Sequence, residues 1–129
     1  MVGMPFIELA ESLDNAGLIW QPEIGDEVSH RTNRRQISIL VDPEGLSAPE
    51  LRNRYIWLPT IEQLVHQIEA RQAILFHSGL ELESGHMVYK TVVRVESNQI
   101  ECSGDSLRLS VGLALKDVLL LKNQPAGLH

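Results

Sequence analysis

The sequence has a single cysteine, Cys102, among its 129 residues, which excludes an internal disulfide. A lone cysteine fits a reducing compartment, where disulfides are rare. The sequence also lacks a run of about 18 apolar residues, the length that a membrane helix needs. Its first residues do not form the basic segment of a signal peptide. We therefore expect a cytoplasmic protein without a membrane partner.

Basic residues are absent from positions 1–29, which hold six acidic residues. This segment accounts for the whole net charge of −6, because the other hundred residues carry 11 acidic and 11 basic side chains. A negative field repels the phosphates of nucleic acids and the headgroups of anionic membranes. The charge therefore argues against nucleic acid as a partner.

The second half of the sequence carries the clearest periodic patterns. Apolar residues repeat every three to four positions in two segments, as in helices, and alternate in the segments between them, as in strands. The predicted elements are a helix over 61–71, strands over 73–83, 86–95 and 99–102, and a helix over 106–121. This half is therefore predicted to have the order α-β-β-β-α.

The first half has weaker patterns, which predict a helix over 6–16 and strands over 36–41 and 55–58. Helices and hairpin-linked strands are mixed without a repeat or a linker. We therefore expect the α+β class, as a single domain over 1–129 with an antiparallel sheet and two or three helices packed on it. The tail over 123–129 is expected to be loose.

The Ser-Gly pair at 84–85 predicts a tight hairpin turn between two long strands. This turn sets Glu83 opposite His86, and His77 opposite a residue near Val92. Side chains of a strand alternate between its two faces. The residues predicted to share the core-facing side of the second strand are Met87, Tyr89, Thr91, Val93 and Val95.

Two histidines and the cysteine are the candidates for chemistry in the second half. A pocket between helix and sheet near His77, His86 and Cys102 would suit a small enzyme or a ligand-binding domain. Zinc needs three or four converging ligands, and the sequence has no metal-binding spacing such as C-x-x-C or H-E-x-x-H. We therefore predict no metal, cofactor or catalytic residue, and expect both histidines to lie on the surface or to pack on the strands.

Cys102 precedes the last predicted helix, and a helix N-terminus can lower the pKa of a thiol. A nucleophilic cysteine also needs a positioned base, which the sequence does not provide nearby. Asp105 at the same helix end opposes a thiolate. A structural cysteine is therefore the favoured interpretation.

The densest basic segment contains Arg31, Arg34 and Arg35. Arg52 and Arg54 follow later, with Tyr55 and Trp57 close to them in sequence. Basic residues beside aromatic rings can bind single-stranded nucleic acid. No nucleic-acid-binding motif is present, and the chain is acidic as a whole. We favour pairing of these arginines with the acidic N-terminal segment, and a weak nucleic-acid binder is the alternative.

The last predicted helix has two apolar stripes where a surface helix needs one. The main stripe consists of Leu107, Val111, Ala114, Leu115, Val118 and Leu121. The second stripe consists of Leu109, Leu113 and Leu120, which lie nearly on the opposite side. Either the helix over 6–16 covers it, or a second copy of the chain does so in a two-fold dimer. We favour the dimer, because the first helix is short for this stripe.

These patterns favour a small non-catalytic protein that acts through protein contacts or as an accessory subunit. Its expected partner is another protein or a second copy of the chain. A small enzyme or ligand-binding domain is one alternative, since an active site assembled from distant residues leaves no local motif. A weak nucleic-acid binder is the other.

Overall fold

The computed structural model of the protein describes residues 4–34 and 36–123. Within these ranges it has four helices and two small antiparallel sheets, which confirms the α+β class. The elements are α1 (Met4–Asn15), β1 (Glu27–His30), β2 (Ile37–Ile39), α2 (Ala48–Arg54), β3 (Tyr55–Trp57), α3 (Ile61–Ala70), β4 (Ile74–Glu83), β5 (His86–Val95), β6 (Asn98–Gly104) and α4 (Leu107–Lys122). None of the described helices is long and apolar enough to span a bilayer. The expected loose tail falls outside the described residues, apart from Asn123.

The chain forms two compact units, which divide between Thr60 and Ile61. Each unit has its own three-stranded sheet, so the predicted single sheet is in fact two. Unit 2, residues 61–129, has the predicted order α-β-β-β-α. The single domain stays a prediction, because two compact units can unfold either together or separately.

The sheet of unit 1, residues 1–60, has the strand order β2-β1-β3 with antiparallel pairs throughout. Its central strand, β1, is missing from the sequence-based prediction. The strand is only four residues long and Val28 is its one aliphatic residue, so no alternation is visible in the sequence. Pairing on both sides defines this strand instead, with Ser29 opposite Ile37 of β2 and Ile56 of β3.

One apolar cluster in the core of unit 1 adjoins a buried polar contact. Trp20, Val28, Leu40 and Leu51 form a buried apolar cluster. Asp26 is buried beside it, and its Oδ2 accepts hydrogen bonds from Trp20 Nε1 at 2.8 Å and from the Glu23 backbone N–H at 2.9 Å. Buried polar groups without hydrogen-bond partners are energetically costly. Because the Asp26 carboxylate is the partner of both donors, it holds Trp20 and the loop at Glu23 in place.

Two helices, α2 and α4, begin at a serine whose side chain caps the first turn. At α2, the Ser47 hydroxyl accepts from the Glu50 N–H, and the Glu50 carboxylate accepts from the Ser47 N–H. Hydrogen bonds from the Ser47 backbone and side chain to the Glu50 carboxylate lower the pKa of Glu50. At α4, Ser106 is the cap, and its hydroxyl accepts from the Leu109 N–H at 3.1 Å.

The sheet of unit 2 has the order β4-β5-β6, and α4 packs across β5 and β6 with α3 beside it. The predicted hairpin register is confirmed, since Glu83 pairs with His86 and His77 pairs with Val92. A bulge between Leu75 and His77 shifts the register beyond that point. On the face toward α4, β5 buries Thr91, Val93 and Val95 as predicted.

A chain of hydroxyl groups fixes α4 on this sheet. The Ser110 hydroxyl donates to the Leu107 carbonyl, so it must accept from Thr91 Oγ1, which lies 2.8 Å away. Thr91 in turn accepts from Ser78 Oγ at 3.1 Å, because a hydroxyl has one proton to donate. Thr91 and Ser110 are fully buried, and both hydroxyls have hydrogen-bond partners. These linked hydroxyl groups therefore set the position of α4 along β5.

Candidate interaction surface

The structure does not bring together the three residues named for an enzyme or ligand pocket. His77 lies on the sheet face away from α4, where its Nε2 is 2.8 Å from Glu81 Oε2. His86 lies at the hairpin turn and is exposed. Cys102 pairs with Thr91, so its side chain lies on the opposite face, toward α4. Among the residues that the structure describes, no three metal-ligating side chains are grouped.

Cys102 has the environment of a structural thiol. Its Sγ donates to Asp117 Oδ2 of α4 at 3.4 Å, and the side chain is partly buried between sheet and helix. Burial, and then the charge and hydrogen bond of Asp117, raise the pKa of Cys102 to about 12. The thiolate is therefore disfavoured, in agreement with the interpretation drawn from Asp105, although the opposing carboxylate comes from Asp117.

The arginines of the basic segment pair with the acidic N-terminal segment, as predicted. Arg31 Nη2 lies 3.0 Å from Asp14 Oδ2, and Arg34 forms an ion pair with Glu11. Arg35 lies outside the described residues. Both ion pairs are within unit 1 and reduce the positive charge available to a phosphate.

An open cleft of about 650 Å³ lies beside these arginines. Arg31, Arg54 and Glu50 supply its charges, and His30 and Tyr55 supply a ring pair with centroids 4.8 Å apart. Arg31 also donates from Nε to the Arg52 carbonyl at 2.8 Å, so its guanidinium is held by protein groups. The lining of the cleft is about half apolar and mixed in charge, so the cleft is not a basic groove.

We expect no tight binding of DNA or RNA near physiological salt, because Arg31 and Arg34 are paired with acids and the whole chain carries −6. A mobility-shift series over salt concentration checks this, with Arg31→Glu/Arg34→Glu/Arg35→Glu as the comparison. Sub-micromolar affinity that falls steeply with salt and disappears in the triple variant would contradict the expectation.

The leucines of the second α4 stripe lie on the flank of unit 2. At 100° per residue, Leu109, Leu113 and Leu120 fall within about 40° of one another. Leu120 is 49 % exposed, and Leu109 and Leu113 are partly buried. A methyl group added to Gly104 would lie 3.2 Å from Leu109 Cγ, so Leu109 covers the last residue of β6.

The other end of the stripe lies at the opposite end of β6. Leu120 lines a cleft of about 260 Å³ together with Asn98, Gln99 and Ile100. In the described part of the chain β6 pairs only with β5, so its outer side is a sheet edge. The predicted stripe and this edge strand therefore run side by side along one flank.

The end of the β4–β5 hairpin is a second apolar surface, which sequence reasoning missed. Met87 was predicted to face the core, but it is 57 % exposed, and Leu80 and Leu82 on the same sheet face are exposed as well. Ten-residue strands are about 34 Å long, whereas α4 with 16 residues is about 24 Å long. The strand and helix lengths in the sequence are the signal that could have revealed this uncovered end.

Comparison with known proteins gives no assignment for this surface. No protein-family model matches the chain, and neither the curated proteins nor the solved structures include a significant match.

Proposed function

We propose that the protein is a cytoplasmic, non-catalytic protein-interaction protein that acts as a homodimer through the flank formed by Leu109, Leu113 and Leu120. One observation carries the proposal: this apolar stripe is left partly exposed on a helix whose other side is buried. Leucines left in water forfeit about 1.5–3 kcal/mol each relative to burial. A second copy that covers the stripe recovers part of that free energy.

The surroundings of the chemically reactive groups support a non-catalytic role. The Cys102 thiol has a raised pKa beside Asp117, which opposes nucleophilic attack. The His77 imidazole is held by Glu81 on the other face of the sheet. The proposal also assigns no nucleic acid as a partner. The ion pairs of Arg31 and Arg34 with acidic residues support this.

Sedimentation of the wild type over a range of concentrations tests the homodimer. We expect a reversible dimer in the micromolar range, and we expect Leu109→Lys/Leu113→Lys/Leu120→Lys to remain folded and monomeric, because three charges cannot be buried unpaired between two copies. The single variant Leu120→Lys, at the most exposed position of the stripe, should weaken the dimer at least tenfold without affecting folding.

Leu80→Lys/Leu82→Lys/Met87→Lys is the matched control, since it adds the same charge to exposed apolar side chains at the hairpin end. It should leave the dimer intact. A wild type that is monomeric at high micromolar concentration overturns the proposal. Unfolding of the Leu109, Leu113 and Leu120 triple variant also overturns it, because that result means that the stripe is covered within the chain.

A further inference from the structure

We infer that the outer edge of β4, over residues 78–83, binds an extended segment of a partner protein in which apolar and basic residues alternate. The segment adds to the sheet of unit 2 as a fourth strand, antiparallel to β4. This inference rests on the protein-interaction role proposed above but not on the homodimer. Three features of β4 carry it: an open backbone edge, two exposed leucines on one face, and two carboxylates on the other.

The backbone of β4 is available on its outer side. In the described part of the chain β4 pairs only with β5, so its outer side is a sheet edge. Both residues of the hairpin turn have positive φ, as in a type I′ turn, so Glu83 and His86 next to it form a hydrogen-bonded pair. Such pairs alternate with non-hydrogen-bonded pairs along an antiparallel ladder. The N–H and C=O groups of alternate residues therefore point outward, namely those of Ser78, Leu80 and Leu82.

The face of this edge that lies beyond α4 is apolar. Leu80 is 52 % exposed and Leu82 is 71 % exposed, and the exposed side chain of Met87 lies opposite Leu82 on β5. Residues that are paired across two strands have Cβ atoms about 4.5–5.5 Å apart on the same face. Apolar residues at alternate positions of an added strand therefore cover both leucines and remove them from water.

The opposite face of the same edge is acidic. Glu81 and Glu83 alternate with the leucines, and both carboxylates reach solvent. Glu81 Oε2 lies 2.8 Å from His77 Nε2, and a neutral imidazole that donates its N–H leaves the charge of the carboxylate in place. Lys90 on this face is 2.9 Å from Glu101 of β6, so its charge is directed away from β4. Basic residues at the remaining positions of the added strand therefore pair with these carboxylates.

The two carboxylates favour a basic partner over a second copy of the chain. An antiparallel pairing of two β4 strands that centres on Leu80, Glu81 or Leu82 sets Glu81 directly or diagonally opposite an acidic residue of the other copy. Charged side chains protect sheet edges against such self-pairing. A basic strand meets opposite charges at the same positions, and the net charge of −6 attracts it from a distance.

The bulge sets the length of the bound segment. It lies between Leu75 and His77, so the regular part of the edge comprises the six residues before the hairpin turn. Six residues of a strand are about 20 Å long. The edge at β6 differs, because α4 packs on that strand and covers one of its faces. A short alternating segment is therefore expected on β4 and not on β6.

A synthetic peptide with blocked ends, Thr-Lys-Val-Lys-Val-Lys-Thr, tests the inference. Its valines match the two leucines, and its lysines match the two carboxylates. We expect saturable binding in which the amide chemical shifts of residues 78–83 change and those of β6 do not. The matched control, Thr-Glu-Val-Glu-Val-Glu-Thr, should bind about tenfold more weakly, because its charges are reversed. Equal binding of the two peptides overturns the inference.

Methylation of the peptide backbone tests strand addition itself. In the expected register the valine N–H groups point toward β4, because the valines are paired with the outward-facing Leu80 and Leu82. N-methylation of both valines should abolish binding, whereas N-methylation of the lysines on either side of the first valine should leave most of it. If the two methylated peptides bind equally, the segment does not add as a strand and the inference is wrong.

The charge-reversed variant Glu81→Lys/Glu83→Lys should exchange the preference between the two peptides, since both positions reach solvent and the fold does not depend on them. An unchanged preference overturns the role of these carboxylates. Sedimentation of the same samples separates the two proposals. A dimer that binds neither peptide overturns this inference and leaves the homodimer standing, and a monomer that binds the basic peptide does the reverse. Chemical shifts of residues 78–83 that change with protein concentration alone identify a second copy as the occupant and also overturn the inference.

Discussion

At pH 8, a maleimide is expected to modify Cys102 in the folded protein about a hundredfold more slowly than in the urea-unfolded chain. With the pKa raised to about 12, the thiolate fraction falls from about a quarter to about 10⁻⁴. The greater nucleophilicity of a more basic thiolate recovers about thirtyfold of this loss. Partial burial between β6 and α4 slows the reaction further.

The pH profile of the maleimide reaction shows whether the raised pKa is the cause of the slow labelling of Cys102. The native rate should rise about tenfold per pH unit from pH 8 to 10.5, because the thiolate remains a minor species until the pH approaches 12. Labelling through transiently unfolded molecules would level off above about pH 8.5. Rapid, pH-independent labelling near pH 6 would reveal a stabilised thiolate and contradict the structural role of Cys102.

Asp117→Asn should accelerate the labelling of Cys102, because it removes the negative charge that opposes the thiolate. Burial, the larger cause of the shift, remains, so the rate should stay well below that of the unfolded chain. Asp105→Asn is the control, as it removes an exposed acid just before α4 and three residues from Cys102. An equal effect of the two substitutions would show that Asp117 has no specific role.

Asp26→Ala is expected to lower the free energy of unfolding of unit 1 by about 2–4 kcal/mol. The substitution leaves two donors without their acceptor, Trp20 Nε1 and the Glu23 N–H. The Asp26 side chain is buried, so water does not readily replace it. Urea unfolding followed by tryptophan fluorescence measures the effect, since both tryptophans, Trp20 and Trp57, are in unit 1.

Glu23→Ala is the matched control for Asp26→Ala, because it removes an exposed carboxylate from the same loop and keeps the backbone N–H. It should change the free energy of unfolding by less than about 0.5 kcal/mol. Similar effects of the two substitutions would contradict the role given to the buried carboxylate.

The urea unfolding of unit 2 can be followed by the labelling of Cys102. If the chain is the single domain predicted from the sequence, Asp26→Ala lowers the urea midpoint of both probes equally. If the units unfold separately, only the fluorescence midpoint moves. The experiment therefore tests the domain prediction that the fold alone leaves open.

The sequence was sufficient for the element order and the hairpin register of unit 2, because these signals are local and strong. The Ser84-Gly85 pair accepts positive φ at both positions, and such a two-residue turn sets the register of both strands. The predicted pairing of His77 with Val92 follows from that turn alone. The bulge after Leu75 was not predicted, since one extra residue in a strand leaves no distinctive pattern.

The sequence was insufficient where an element depends on distant partners. β1 is a central strand with a single aliphatic residue, and its backbone is satisfied by segments about 10 and 28 residues later. The strands divide into two sheets because β1 pairs with β2 and β3. The periodicity of a single segment does not predict which strands pair. The predicted lengths indicate that the ten-residue strands extend beyond α4, but the placement of α4 on the sheet was needed to show that the uncovered end is the one at Met87.

The candidate surface was also predicted only in part from the sequence. Helical periodicity alone placed Leu109, Leu113 and Leu120 on one stripe, because positions on a helix repeat at a fixed angle. Only the tertiary structure placed this stripe beside the edge strand β6, with Cys102 against Asp117 between its ends. The physical reason is that the face of a residue is a local property of its backbone, whereas the neighbour of that face depends on how the whole unit packs.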